Sequence, residues 1–155
     1  MSRQVLSPQV LSAWLGLLRS HAELTRAMNA QLIARHGITL NDYDVMVNLA
    51  EAPGGVLRRV DLADRVLLTA SGITRLLEGL ERAGWVCKQA CDKDARVTYA
   101  VLTDAGVRKI EEARESHNAD IEELFGSRFA PEEREQLTEL LGRLPLAHTA
   151  EACSA

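Results

Sequence analysis

Positive charge is in short supply. Eighteen Lys and Arg stand against 22 Asp and Glu, a formal net charge of −4 at pH 7, which argues against a protein that coats nucleic acid regardless of sequence. Apolar runs of membrane-spanning length and an N-terminal signal pattern are both missing, so a cytoplasmic protein with no membrane partner is expected. Cysteine is sparse: the three, Cys87, Cys91 and Cys153, are an odd number that a reducing compartment keeps as thiols. Four histidines, His21, His36, His117 and His148, are too scattered to read as a metal cluster, although His21 and His117 can meet in a fold. There is no phosphate loop, nucleophile elbow, His-Glu-x-x-His motif or metal-spaced cysteine set. The chain is therefore not expected to be an enzyme or to carry a cofactor or a metal. Repeats and low-complexity stretches are absent too, and 155 residues suit one domain or a domain with appended helices.

What is present is concentrated between Arg59 and Leu102. The segment from Arg59 to Val66 offers Val60, Ala63 and Val66 for packing, and the small Ala63 allows a close helix crossing. Residues 67–71 read as a turn, with Thr69 the expected N-cap because its hydroxyl can accept from an unpaired helix N–H. In the following helix Ile73, Leu76, Leu77 and Leu80 recur at i, i+3, i+4 and i+7, which places them on one buried stripe. Its other face carries Ser71, Thr74, Arg75 and Glu78. Hydroxyls and a guanidinium near a helix N-terminus suit phosphates and base edges in a major groove, since the N–H groups there also favour an anion. Gly84 stops the helix, 85–90 read as an extended run, 91–96 as a charged tip and 97–102 as a returning strand. Helix, turn, helix and hairpin make a winged helix-turn-helix. Between Val56 and Tyr99 eight Lys/Arg face six Asp/Glu, a local +2 that leaves −6 on the rest of the chain.

The flanks read as helices. From about Pro8 to His36, Leu11, Trp14, Leu15, Leu18, Leu24, Met28 and Leu32 keep helical spacing, and Gly37 is the stop. A helix of this length can exceed the diameter of its own domain, so part of it is expected to pack against something else; an ordinary core helix is the alternative. Thr39 and Asp42 form a capping box that opens a helix to about Glu51, apolar on much of its circumference through Tyr43, Val45, Met46, Val47 and Leu49. The Pro53–Gly55 turn breaks it, and Val56 and Leu57 suit a third strand beside the wing. Thr103 is expected to cap another long helix buried through Val107, Ile110, Ala113, His117, Ile121, Leu124 and Phe125. Gly126 interrupts it, Pro131 starts a last helix with a Leu137, Leu140, Leu141 and Leu144 stripe, and Pro145 ends that.

The ordered set Leu62-Ala63, the run Thr-Ala-Ser-Gly-Ile-Thr-Arg-Leu-Leu-Glu-Gly-Leu-Glu-Arg-Ala-Gly-Trp-Val over 69–86, Asp92-Lys-Asp-Ala-Arg96 and Leu102-Thr-Asp-Ala-Gly106 resembles the multiple-antibiotic-resistance regulator (MarR) family of bacterial transcription factors. The resemblance extends, more weakly, from about residue 10 to residue 144. It implies a mainly α fold with a small β-wing, in which a winged helix-turn-helix is joined to a helical dimerisation region. It further implies an obligate homodimer, a repressor of the cytoplasm, on a pseudo-palindromic operator of double-stranded DNA. Release by a small aromatic or acidic effector, or by cysteine oxidation, is implied with it. The corresponding division is a dimerisation helix over 1–37, the DNA-binding domain over 38–102, C-terminal dimerisation helices over 103–145 and a disordered tail over 146–155. The competing function is a winged-helix module that binds protein and has little DNA affinity.

Residue roles follow from the same resemblance. Ser71, Thr74 and Arg75 match the groove-contacting face; a solvated polar face is the bland alternative. Asp94 and Arg96 match the family's wing Asp-x-Arg, in which the Arg enters a narrow minor groove of enhanced negative potential and the Asp steadies it. Lys88, Lys93, Arg58 and Arg59 are weaker DNA-binding candidates, for phosphate contacts. Ala70, Gly79 and Ala95 stand where relatives often carry cations, which implies a shallower salt dependence than is usual for the family. The family's ligand pocket would fall near Trp14, Leu18, His21, Asp44 and Met46. Trp14, Tyr43 and Asp44 also resemble a branch that answers to urate-like or carboxylate metabolites, with simple core residues as the alternative. Cys87 and Cys91 are either inert thiols or a redox switch, and no nearby cation favours the switch.

Overall fold

A computed structural model describes residues 6–66, 70–90 and 97–144. Thr69, Cys91, the charged tip with Lys93, Asp94, Ala95 and Arg96, Pro145 and the tail over 146–155 lie outside the described residues.

Local signals set the element ends. Helix α1 (Pro8–His36) begins where the Ser7 hydroxyl accepts from the Val10 N–H at 3.2 Å, and its proline sits where a missing N–H costs nothing. It stops at Gly37, whose φ of 67° closes the last turn onto the Ile33 carbonyl. The capping box of α2 (Leu40–Glu51) is reciprocal: Asp42 N–H donates to Thr39 Oγ1 at 3.1 Å, and Thr39 N–H donates to Asp42 Oδ2 at 2.8 Å. The Asn29 side chain accepts from Leu40 N–H at 2.9 Å, which ties the start of α2 to α1. After the Pro53–Gly55 turn come β1 (Val56–Arg58), α3 (Arg59–Arg65), α4 (Ala70–Arg82), β2 (Val86–Ala90) and β3 (Thr98–Leu102). The chain ends in α5 (Asp104–Leu124), a turn at Gly126–Arg128 and α6 (Pro131–Leu141). At the start of α6 Glu133 accepts from the Ala130 N–H at 2.8 Å, half of a capping box, since alanine offers no hydroxyl in return.

The three strands form an antiparallel sheet in the order β1-β3-β2, with Arg58 opposite Tyr99 and Val86 opposite Leu102. The fold is mainly α with a small β-wing, as the sequence predicts. The core is shared by all of the helices of the motif and by both long helices: Leu32 of α1, Val45, Met46 and Leu49 of α2, Leu62 of α3, Ile73, Leu77 and Leu80 of α4, and Ile110 and Ala113 of α5. Val86 and Ala100 add the base of the wing, beyond which every residue of β2 is exposed.

Three packing expectations are corrected. Val60 is 56% exposed, and the seven-residue helix buries Leu62 beside the expected Ala63 instead. Val107 and Ile121 of α5 are also exposed, while Ile110, Ala113 and His117 between them are buried. Helix α1 shows the same condition more strongly: it is covered at Leu32, half covered at Leu24 and Met28, and bare at Leu11, Trp14 and Leu18. With 29 residues it is about 44 Å long, against a radius of gyration of about 15 Å for a domain of this size.

Candidate nucleic-acid interface

Helix α4 is held by its apolar stripe, with Ile73, Leu77 and Leu80 buried and Leu76 partly so. The stripe turns the opposite face outward: Ser71, Arg75 and Glu78 are exposed, and Thr74 is half covered. Ser71, Gly72 and Thr74 are each engaged with neighbouring groups. Helix α3 crosses α4, and from its first residue the Arg59 Nη1 donates to Thr74 Oγ1 at 3.2 Å. Its neighbour Arg58 turns elsewhere, donating from Nε and Nη2 to the two carboxylate oxygens of Asp61 at 2.7 and 2.9 Å. That pairing raises the Arg58 pKa, through the hydrogen bond to Asp61 first and its charge second. Lys88 on β2 meets Glu81 of α4 at 2.9 Å. Among the described residues Arg75 has no hydrogen-bond or carboxylate partner. Lys93, Asp94 and Arg96 lie outside the described residues.

The base of the wing is fastened to α5 by Thr103. Its hydroxyl donates to the Gly84 carbonyl at 2.7 Å and accepts from Gly106 N–H at 3.1 Å, while its N–H donates to the Trp85 carbonyl at 3.1 Å. Gly106 faces the same Trp85 carbonyl so closely that no Cβ fits, and Lys109 lies 5.6 Å from the centre of the Trp85 ring. One hydroxyl thus closes α4, the wing and α5 into a unit.

The residues expected around a ligand are spread over two environments. Trp14 is 55% exposed, and Leu18 and His21 lie exposed on the same half of α1. Met46 is fully buried in the core. Asp44 reaches the surface, but its surroundings desolvate it and raise its carboxyl pKa. His117 is buried with its ring centre 4.6 Å from that of Tyr43, and His21 lies elsewhere on the exposed part of α1. Burial lowers the His117 pKa, with Asp120 opposing, and raises that of Tyr43, with Arg114 opposing and Asp44 adding. Cys87 is exposed on the outer strand.

Sequence reasoning missed two polar contacts. Arg35 Nη1 donates to both oxygens of buried Asp120, at 2.9 and 3.0 Å, joining α1 to α5. Its signal was an acidic residue three positions after His117 on an apolar stripe, which asks for a buried partner. The Arg59–Thr74 bond spans fifteen positions and has no local signature. Among the described residues no helix is long and apolar enough to cross a membrane.

The sequence pattern of the MarR family matches residues 36–97, from the end of α1 through α2, the helix-turn-helix and β2, and stops just before β3. The HTH-type transcriptional regulator MhqR of Bacillus subtilis (strain 168) is 28% identical over 141 residues, covering 91% of this chain and 94% of its own. The uncharacterised HTH-type regulator YkoM of the same strain is 30% identical over 106 residues, covering 68% and 67%. A MarR family transcriptional regulator from Streptomyces coelicolor, solved in complex with DNA, superposes with a TM-score of 0.85 at 26% identity, covering 91% of this chain and 88% of its own. A polar-faced second helix over an apolar stripe, a short wing and these likenesses agree: this chain belongs to the MarR family of winged helix-turn-helix transcriptional regulators.

Proposed function

We propose that this protein is a homodimeric, cytoplasmic repressor that binds a pseudo-palindromic operator in double-stranded DNA and is released by a small aromatic or acidic effector. The observation that carries the reading is the outward polar face of α4, with Ser71, Thr74 and Arg75 above a buried stripe. A helix so presented can lay side chains along base edges, and a second copy related by a twofold axis repeats the reading one turn away. Arg96, steadied by Asp94, serves the adjacent minor groove and Lys93 takes a phosphate; Arg58 adds a weaker phosphate contact only where it leaves Asp61. Occupancy of a promoter by such a dimer suffices to exclude polymerase.

Residues 1–37 and 103–145 form the dimerisation region of this proposal and 38–102 the DNA-binding domain. Support comes from the bare apolar positions Leu11, Trp14 and Leu18 of α1, Leu140 of α6 and Leu144, which a single chain leaves in water. The effector sits where dimer helices meet the reading domain, between Trp14, Leu18 and His21 on one side and Asp44 on the other, with Met46 beneath. Band shifts with the protein's own upstream DNA test the proposal, and a salt-sensitive, sequence-selective shift is expected. No shift with any promoter fragment would favour a protein-binding module. Thermal-shift screening with aromatic acids, urate-like purines and dicarboxylates then identifies the effector, because a ligand that binds only the native state raises its melting midpoint.

A further inference from the structure

Two consecutive arginines, Arg58 and Arg59, open the first helix of the motif, and their surroundings separate them. We infer that Arg59 is the one that serves the reading head: one guanidinium N–H sets the Thr74 hydroxyl, and the others take a backbone phosphate of the bound duplex. This rests on the DNA-binding proposal above.

The charge of Arg58 is already answered. Its two bonds to Asp61 match a carboxylate in the bidentate geometry that arginine prefers. The other guanidinium is in a different position. Among the described residues Arg59 makes one hydrogen bond, to Thr74, and meets no carboxylate. Of its five N–H donors four stay available on a half-covered cation. A cation in that setting gains most from an anion with two or more acceptor oxygens, and the anion a duplex supplies at every step is phosphate.

Its neighbour fixes where that anion lies. Thr74 stands between Ser71 and Arg75 on the outward face of α4, so a phosphate on Arg59 borders the groove that those side chains enter. A threonine hydroxyl has one proton and two lone pairs. Acceptance from Arg59 limits where the proton can point, in addition to the other contact Thr74 makes within the protein. Arg59 is therefore a positioning residue for Thr74 and a phosphate contact in its own right, and one side chain links backbone grip to base choice.

The test uses the full-length protein and a duplex it enriches from random-sequence DNA. Affinity is measured against salt for wild type, Arg59→Met, Arg59→Lys, Arg58→Met, Thr74→Val and the Arg59→Met/Thr74→Val pair. Arg59→Met is expected to lose about one counterion from the salt slope, a roughly 3- to 4-fold smaller fall in affinity between roughly 50 and 200 mM salt. Its loss is expected to be less than multiplicative with that of Thr74→Val, as for residues that act together. Arg59→Lys should restore the slope but keep an altered base preference, and Arg58→Met should change the slope by less than Arg59→Met. A wild-type slope in folded Arg59→Met, or fully multiplicative losses with Thr74→Val, overturns the inference alone. An unchanged base preference in Arg59→Lys does the same should Arg59→Met not fold. If the wild type enriches no duplex, the DNA-binding proposal fails first and the inference goes with it.

Discussion

His117 is the side chain whose surroundings fit its chemistry least. It is 6% exposed, its Nδ1 has no hydrogen-bond partner among the described residues, and it packs on Tyr43 of α2. Arg114, Ser116 and Asp120 on its own helix, and Arg35 and His36 at the end of α1, are the polar groups around that junction. Burial holds its pKa below the usual value near 6.5, so the unfolded chain takes up the proton first. The stability that the neutral ring supports is complete above that value and is lost as pH falls through the lowered native one. His117→Phe should therefore flatten the loss of stability as pH falls below about 6.5, relative to wild type, in urea melts at one protein concentration. At the wing, Arg96→Ala is expected to weaken operator binding by about 1–3 kcal/mol while leaving the oligomer unchanged, as read by band shift and light scattering. These two residues were not equally legible. Arg96 was singled out because Asp94 and Arg96 resemble the family's wing Asp-x-Arg, and it lies outside the described residues, whereas the cost of burying His117 depends on Asp120 and Tyr43, and only the fold brings Tyr43 near.

At the scale of elements, the joint of α4, wing and α5 is the tightest contact described. A methyl group on Gly106 would run into the Trp85 carbonyl and the Leu102 side chain, and a carbonyl held in the turn before a strand cannot step aside as a flexible side chain can. Gly106→Ala should cost about 1–3 kcal/mol of stability, measured by denaturant melts. Most element ends were legible because they are set by residues within four positions: Gly37, the Thr39–Asp42 box, Gly84, Thr103 and Pro131 all act locally, and the Ser7 cap, passed over as part of a loose end, does too. The helix-turn-helix was legible for a related reason, its stripe at 73, 77 and 80 being strongly periodic. Which face of a short or long helix is covered was less so. Val60, Val107 and Ile121 have the right chemistry for a core, but burial depends on whether a partner element reaches them. The same limit hid the Arg59–Thr74 bond, which exists only because α3 crosses α4.

At the scale of the whole molecule, α1 and α5 each lend residues to the shared core, Leu32 from one and Ile110 and Ala113 from the other, and leave further apolar residues exposed. Leu140 is 53% exposed and Leu144 is exposed with it, while Leu137 and Leu141 are half covered, so the α6 stripe is only partly buried. Removing the chain after Phe129 is expected to abolish the dimer, giving a monomer by size exclusion with light scattering. A persistent dimer would assign the interface to α1 and α5 alone. Helix α1 carries the wider consequence. It is rooted by Leu32, by Arg35 on Asp120 and by His36 on Ser116, and in its other half Leu11, Trp14, Leu17 and Leu18 are exposed. In the proposed dimer such a rod would draw part of its order from a neighbour, and its cohesion should then depend on how often chains encounter one another. Serial dilution should then lower the temperature at which the fold is lost, with helix signal fading together with assembly as the sample thins.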